Sequence, residues 1–306
     1  MDSGPPGKGL ERYSRRKGQK VTLAGLDFAG HSALVTGGTR GIGLAIATRL
    51  VAVGASVLVC GRSQPGQLPA GLGFTVADVR DPAQAAAVVA EANGRFGRLD
   101  IAVNNAGGSP SVPAASASPN LITSVVRLNL LAPFFVAQAA NAVMQQQDGG
   151  GLIINIGSVS AIRPAPGTAA YAAAKAGLIT LTQALAIEWA PAVRVNCVTA
   201  GLVRTDDSQA HYGDEAALAA VAATVPLGRM ATPDDIADAC LLLASPLAGY
   251  VTGANLVVDG GGQLPAFIVG PRPPRLNLPT PARPRTIGSA PHSARCLASG
   301  LRRWGS

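Results

Sequence analysis

Tyr171 and Lys175 stand four residues apart in Tyr171-Ala-Ala-Ala-Lys175. On a helix that spacing brings a phenol and an ammonium onto one face. The pair is either the exposed side of an alanine-rich helix or the working end of an active site, and spacing alone does not separate the two. A second stretch, Thr36-Gly37-Gly38-Thr39-Arg40-Gly41-Ile42-Gly43, is suited to binding. Its glycines let a turn fold tightly and let backbone N–H groups approach a pyrophosphate, which the positive end of a following helix favours. Arg40 falls at the start of that helix, where a cation opposes the dipole unless an anion sits beside it. Downstream, Gly61 occupies a position where NAD-specific folds usually place an acid on the ribose 2′-hydroxyl, and Arg62 and Ser63 follow. Nothing there repels a 2′-phosphate, and Arg40 with Arg62 could clamp one through charge-assisted hydrogen bonds. The expected cofactor is therefore NADP(H), in preference to NAD(H).

The glycine turn is informative only if a strand precedes it and a helix follows. Short β-rich runs occur at 33–37, 56–60, 74–78, 99–105, 151–158, 193–198 and 255–260, alternating with apolar-periodic segments near 41–53, 82–95, 119–147, 169–190 and 233–244. Strands that are apolar throughout and separated by helices predict a parallel sheet covered on both faces. The expected fold class is α/β, a doubly wound Rossmann-type sheet of seven strands in one domain, its ligand at the carboxyl ends of the strands. The connection from Leu202 to Pro226 is long for a loop and is expected to act as a lid.

The chain has 306 residues, nearly half of them apolar but few aromatic, so the core is expected to pack small and β-branched side chains closely. Its net charge of +8 sits at the ends: residues 1–30 carry +3 and 264–306 carry +7, leaving −2 between them. A near-neutral centre has no electrostatic footprint for a phosphate backbone, which argues against nucleic acid as the main partner. The basic stretches 1–24 and 266–306, the latter rich in Pro and Arg, lack apolar periodicity and are expected to be disordered extensions of a catalytic domain at 25–265. Cys60, Cys197, Cys240 and Cys296 are far apart and form no CxxC, and His31, His211 and His292 lack matched ligands. Neither a metal site nor a disulfide framework is expected. With no signal peptide and no run of about 18 apolar residues, a cytoplasmic protein without a membrane span is expected.

The motifs line up in a familiar order. The glycine turn, Ala77-Asp78-Val79, Asn104-Asn105-Ala106-Gly107, "LNLLAPF" at 128–134, "INIGSVS" at 154–160, Tyr171-Ala-Ala-Ala-Lys175 and "AGLVRTD" from 200 resemble the short-chain dehydrogenase/reductase family over roughly 25–265, in particular its 3-oxoacyl-acyl-carrier-protein reductase-like members. The resemblance implies that Tyr171 exchanges a proton with a carbonyl or alcohol oxygen, that Lys175 lowers its pKa and holds the nicotinamide ribose, and that Ser158 polarises the substrate carbonyl. It implies that Asn129 completes a water-linked proton path with Lys175. It places Asp78 and Val79 at the adenine, Asn105, Ala106 and Gly107 along the adenine-side ribose, and Val203 and Thr205, with Gly201 before them, at the nicotinamide and pyrophosphate. Ala200-Gly201 replaces the family's usual Pro-Gly, which predicts a less rigid start to the lid.

The substrate pocket is expected from 109–113, 160–166 and 202–226, with Arg163, Arg204 and His211 at its margins. Those stretches are mostly apolar, so the expected substrate is a ketone or secondary alcohol on an apolar body: a 3-oxoacyl thioester, a steroid-like ring or a xenobiotic. The competing reading is a catalytically idle nucleotide-binding sensor or scaffold. Alanine-rich flanks on the helices near 119–147 and 169–190, together with the resemblance, predict a homotetramer, or a dimer.

Overall fold

A computed structural model describes residues 26–206, 208 and 212–264. The two basic terminal extensions and His211, expected at the pocket margin, lie outside the described residues. Seven strands form one parallel sheet: β1 (Ser32–Thr36), β2 (Ser56–Gly61), β3 (Leu72–Val76), β4 (Ile101–Asn104), β5 (Gly151–Ser158), β6 (Val193–Ala200) and β7 (Asn255–Val258). Their order is β3-β2-β1-β4-β5-β6-β7, with all pairs parallel. Sequence order therefore reverses between β1 and β4, and a switch point of this kind opens a crevice beyond the strands' carboxyl ends.

Alternate residues along each strand feed opposite layers, as strands buried on both faces require. Ala33, Val35, Val57, Val59, Ile101 and Val103 pack with Ile46 and Leu50 of α1 (Gly41–Ala52) and Ile236 and Leu241 of α7 (Pro233–Ala244). On the other face Leu34, Leu58, Ala102, Ile153 and Val195 pack with Val88 of α2 (Pro82–Phe96), Val136 of α4 (Ala132–Met144) and Leu185 of α5 (Ala169–Glu188). A chain of buried amides runs through this second layer. Asn104 donates to Asn155 at 2.9 Å and to the Pro133 carbonyl at 3.1 Å, and Asn155 donates to Thr182 Oγ1 at 2.9 Å.

Two elements differ from the sequence expectation. The helix expected over 119–147 is α3 (Pro119–Val126), a wide π-helical turn at Arg127–Leu131, and then α4. The lid segment contains α6 (Glu215–Ala223), which Asp214 caps by accepting the Ala217 N–H at 2.9 Å. The signal was present in an alanine run behind an Asp, both favourable to a helix start, within a stretch expected to be loop. Although no unbroken apolar run was expected, Pro119–Met144 and Ala169–Glu188 have the length and mean apolarity to cross a bilayer. Here α4 and α5 lie against β4, β5 and β6, which covers 33% of the most apolar part of each stretch.

Candidate active site

At the switch point β1 runs into the glycine turn. Gly37 has φ +63°, in the left-handed region that favours glycine. At Gly43 the need is for space: a Cβ there would lie 2.3 Å from the Gly37 carbonyl oxygen and 2.4 Å from Asn105 Nδ2. Asn105 in turn donates to the Thr36 and Gly37 carbonyls at 3.0 and 3.1 Å, while Thr36 Oγ1 accepts the Asn105 and Ala106 N–H groups, both at 3.0 Å. The Asn105 side chain, expected against a ribose, is thus committed to holding the turn against the end of β4. The helix that follows begins at Arg40 with no side-chain cap and no acid in its first turn, whereas α2, α3, α6 and α7 are capped by Asp81, Ser118, Asp214 and Thr232. Uncapped first-turn amides beside a glycine cradle fit a dinucleotide pyrophosphate.

One cleft of about 920 Å³ opens here. Its wall includes Gly37, Thr39, Arg40, Gly41, Ile42, Gly43, Arg62, Ser63, Asp78, Val79, Asn105, Ala106, Gly107, Ser158, Tyr171, Lys175, Gly201, Val203 and Thr205. Asn129 is absent from that wall. It is fully buried in the π-helical turn, where Nδ2 donates to the Gly108 and Val125 carbonyls and Oδ1 accepts the Gly108 N–H, all at 2.9 Å. The wide turn directs this amide at the loop after β4. A Cβ on Gly107 would lie 2.8 Å from Asn129 Oδ1 and 3.4 Å from Lys175 Nζ, so Gly107 fills the space between the two side chains.

At the end of the cleft where adenosine was expected, Asp78 has a partner not anticipated from sequence. Arg80 Nε donates to both Asp78 carboxylate oxygens, at 2.9 and 3.0 Å, and borders the cleft. Hydrogen bonding from Arg80, with help from Arg62, holds the Asp78 carboxyl below its ordinary value. At the opposite end the segment after β6 is held by backbone. Gly201 N–H donates to Val258, Arg204 N–H to the Ala231 carbonyl and Ala231 N–H to Leu202. This pairing restrains the start of the lid segment that the missing proline was expected to loosen. Thr205 N–H donates to the buried Ser208 hydroxyl at 2.7 Å.

The candidate reacting groups converge from two elements, Ser158 from the end of β5 and Tyr171 with Lys175 from the first turns of α5. Lys175 is buried, its ammonium donates to the Ile156 carbonyl at 2.7 Å, and Nζ lies 5.8 Å from the Tyr171 ring centre. Burial brings Lys175 down to about 8. Tyr171 is displaced upward, chiefly by burial, while a hydrogen bond with Ser158 acts the other way. The lowering expected from Lys175 is not found: Ser158 is the group that acts to lower the phenol, and desolvation outweighs it. Tyr212, from the lid segment, also borders the cleft and acts electrostatically on Tyr171.

The pocket walls differ from the expectation. Of 109–113, Ser109 and Ser111 border the cleft, while Pro110 and Val112 line a separate apolar pocket of about 180 Å³. Ile162 is 53% exposed, and Arg204 turns outward to pair with Glu215. Ser160 and Thr168 add hydroxyls to this wall, while Ala165, Pro166, Leu202 and Val203 border the cleft as the apolar expectation had it.

A doubly wound sheet, a glycine turn at its switch point and a serine–tyrosine–lysine set at the other end of one cleft define a Rossmann-type α/β protein. A family model described as "Enoyl-(Acyl carrier protein) reductase" matches residues 37–263. The chain is 40% identical to a 3alpha-hydroxysteroid dehydrogenase of Mediterraneibacter gnavus over 243 residues, covering 76% of this chain and 96% of that protein. It is 38% identical to the 3-oxoacyl-acyl-carrier-protein reductase FabG of Salmonella typhimurium, covering 77% and 98%. A solved structure described as a short chain dehydrogenase/reductase family protein superposes with a TM-score of 0.70 at 39% identity, covering 77% and 98%. The chain belongs to the short-chain dehydrogenase/reductase family and is an oxidoreductase of that class.

Proposed function

We propose that the protein transfers a hydride between NADP(H) and a carbonyl or secondary alcohol, with Tyr171 as the acid/base. The observation that carries this reading is the placement of Ser158, Tyr171 and Lys175 on the wall of the cleft that begins at the uncapped glycine turn. The nicotinamide supplies or accepts the hydride when bound. Burial keeps the Tyr171 phenol protonated at neutral pH, the form that gives a proton to a carbonyl oxygen during reduction. The Ser158 hydroxyl, hydrogen-bonded to that phenol, is placed to donate to the same oxygen as negative charge develops. Lys175 spends one of its three donors on Ile156 and keeps two for ribose hydroxyls. Asn129 positions this end by clamping Gly108.

Preference for NADP(H) rests on Gly61 and Arg62 at the end of β2 and on Arg40 at the start of α1, all bordering the cleft. Asp78, the acid at that end, is already paired with Arg80 and presents little uncompensated charge to a 2′-phosphate. We also propose a homotetramer, or failing that a dimer. Ile122, Leu131 and Ile187, at 41%, 39% and 82% exposure, are apolar side chains on the helical layer that self-association would cover. The relatives' names cover a hydroxysteroid and a 3-oxoacyl thioester, so likeness alone does not choose a substrate body.

The test is turnover of a carbonyl and alcohol panel with NADPH/NADP and NADH/NAD in parallel, alongside Tyr171→Phe. Turnover is expected to favour NADP(H) and to vanish in Tyr171→Phe, with dinucleotide affinity largely retained. Retained turnover in Tyr171→Phe would remove its assigned role. A wild-type protein that binds dinucleotide but turns over nothing would instead be the idle sensor.

A further inference from the structure

The wall around Tyr171 carries several hydroxyls beside the apolar Ala165, Pro166 and Leu202. Ser160 follows Ser158 and donates its N–H to the Ser158 hydroxyl at 3.2 Å. Thr168 stands one turn before Tyr171 on the same helix start, and its backbone carbonyl accepts the Ala172 N–H. Ser111 is brought in from the loop after β4, where Val112 N–H donates to the Gly167 carbonyl at 2.8 Å. A Cβ on Gly167 would lie 2.6 Å from Ser111 Oγ, so the glycine makes room for that hydroxyl. Ser109 extends the same loop, Tyr212 faces Tyr171 from the lid segment, and Asp206 borders the cleft beside Thr205.

The polarity of these groups has a direction. Thr168 Oγ1 already donates to the Ala165 carbonyl at 3.0 Å, and Ser109 Oγ to the Pro110 carbonyl at 2.9 Å. Both hydroxyls therefore present lone pairs to the cleft, and the Asp206 carboxylate is an acceptor in its ionised form. A hydrocarbon seated here strips water from these atoms and returns no hydrogen bond, whereas a body carrying O–H groups satisfies them. Sites built to pair a substrate hydroxyl reject the analogue that lacks it far more strongly than apolar pockets reject an added one.

We infer that the cleft selects a polyhydroxylated substrate, one bearing free hydroxyls next to the carbon that is oxidised or whose carbonyl is reduced. This rests on the oxidoreductase reading above and names its substrate class. It departs from the wholly apolar body that composition suggested, because Ser109, Ser111, Ser160 and Thr168 border the cleft while Pro110 and Val112 line a separate pocket and Ile162 is exposed, leaving Ala165 and Pro166 as the apolar part that these loops give the wall.

The test compares three ring alcohols of equal skeleton, cyclohexanol, trans-cyclohexane-1,2-diol and myo-inositol, together with 2-octanol, in the oxidative direction with NADP and NAD. The expected result is a rise in kcat/KM of about tenfold or more from cyclohexanol to the better of the two hydroxylated rings. In Ser111→Ala and Thr168→Val the ratio of hydroxylated ring to cyclohexanol is expected to fall several-fold, which a general loss of folded protein does not produce. Equal or better turnover of cyclohexanol or 2-octanol overturns the inference and leaves the oxidoreductase reading standing. An unchanged ratio in both variants also overturns it. Absence of turnover with these alcohols under NADP and NAD, and with cyclohexanone, 2-hydroxycyclohexanone and 2-octanone under NADPH and NADH, overturns the inference; absence across the full carbonyl and alcohol panel removes the oxidoreductase reading as well.

Discussion

Replacing Gly43 by alanine asks whether the phosphate-binding turn is held together by close backbone approach. The new Cβ would sit 2.3 Å from the Gly37 carbonyl oxygen and 2.4 Å from Asn105 Nδ2, against about 3.4 Å for an ordinary contact, so something must move by about 1 Å. Neither neighbour moves freely, because Gly37 is backbone and Asn105 is tied to the Thr36 and Gly37 carbonyls at 3.0 and 3.1 Å. Losing those two hydrogen bonds costs about 1 kcal/mol each. Overpacking adds roughly 1–3 kcal/mol, for a total of about 3–5 kcal/mol. For a domain of this size that lowers Tm by on the order of 10 °C. Gly41→Ala is the internal control: Gly41 has φ +53° but no atom nearer than 3.8 Å to an added Cβ, so its cost is roughly the 1–2 kcal/mol of left-handed backbone. The assay is guanidinium unfolding of both variants, with dinucleotide affinity by fluorescence titration. Gly43→Ala within about 1 kcal/mol of wild type, or less damaging than Gly41→Ala, would refute the close-approach reasoning.

Asn155→Leu leaves the buried Asn104 amide and Thr182 hydroxyl without a shared partner and is expected to cost about 2–4 kcal/mol in denaturant unfolding; a neutral change would show that the amide chain is not stabilising. Lys175 titrates at about 8 in the folded protein against 10.5 for its ordinary value. Between those pH values the unfolded chain binds the extra proton, so wild-type stability should rise with pH relative to Lys175→Met, by on the order of 3 kcal/mol at most. Cys60 and Tyr171, displaced upward by burial, act in the opposite sense and cancel in that comparison, whereas Cys197, also raised chiefly by burial, is lowered electrostatically by Lys175 and shifts when the lysine is removed; a flat or falling difference would contradict burial as the cause. Arg62→Glu should raise KM for NADPH at least about tenfold while leaving NADH less affected, since it sets a carboxylate where a 2′-phosphate would lie; equal effects on both dinucleotides would remove Arg62 from the phosphate site.

Local letters determined a good deal. The glycine turn, Ser158 and the Tyr171–Lys175 pair were legible because each belongs to a short stretch whose function depends on backbone path and near-neighbour spacing. The parallel sheet was legible for a similar reason, since strands covered on both faces are apolar at every position. Tertiary structure decided what depends on residues distant in sequence. The π-helical turn that aims Asn129 at Gly108 hides inside an uninterrupted apolar helix pattern, and the side chain's purpose appears only when the loop after β4 folds over it. Asn105 could face a ribose or its own turn, and the Thr36 and Gly37 carbonyls, some seventy residues earlier, decided for the turn. Arg80 meets Asp78 across two residues in the turn after β3, where the Asp78 carbonyl accepts the Asp81 N–H and its carboxylate accepts the Arg80 N–H and guanidinium. The pocket is the clearest case. Counting Pro, Ala, Val and Ile in the loops predicts an apolar wall, but a loop shows its cleft only one side, and here that side mixes Ser109, Ser111, Ser160, Thr168 and Tyr212 with Ala165, Pro166 and Leu202. Which side faces inward is set by the packing of β4, β5 and α5, and composition carries no information about it.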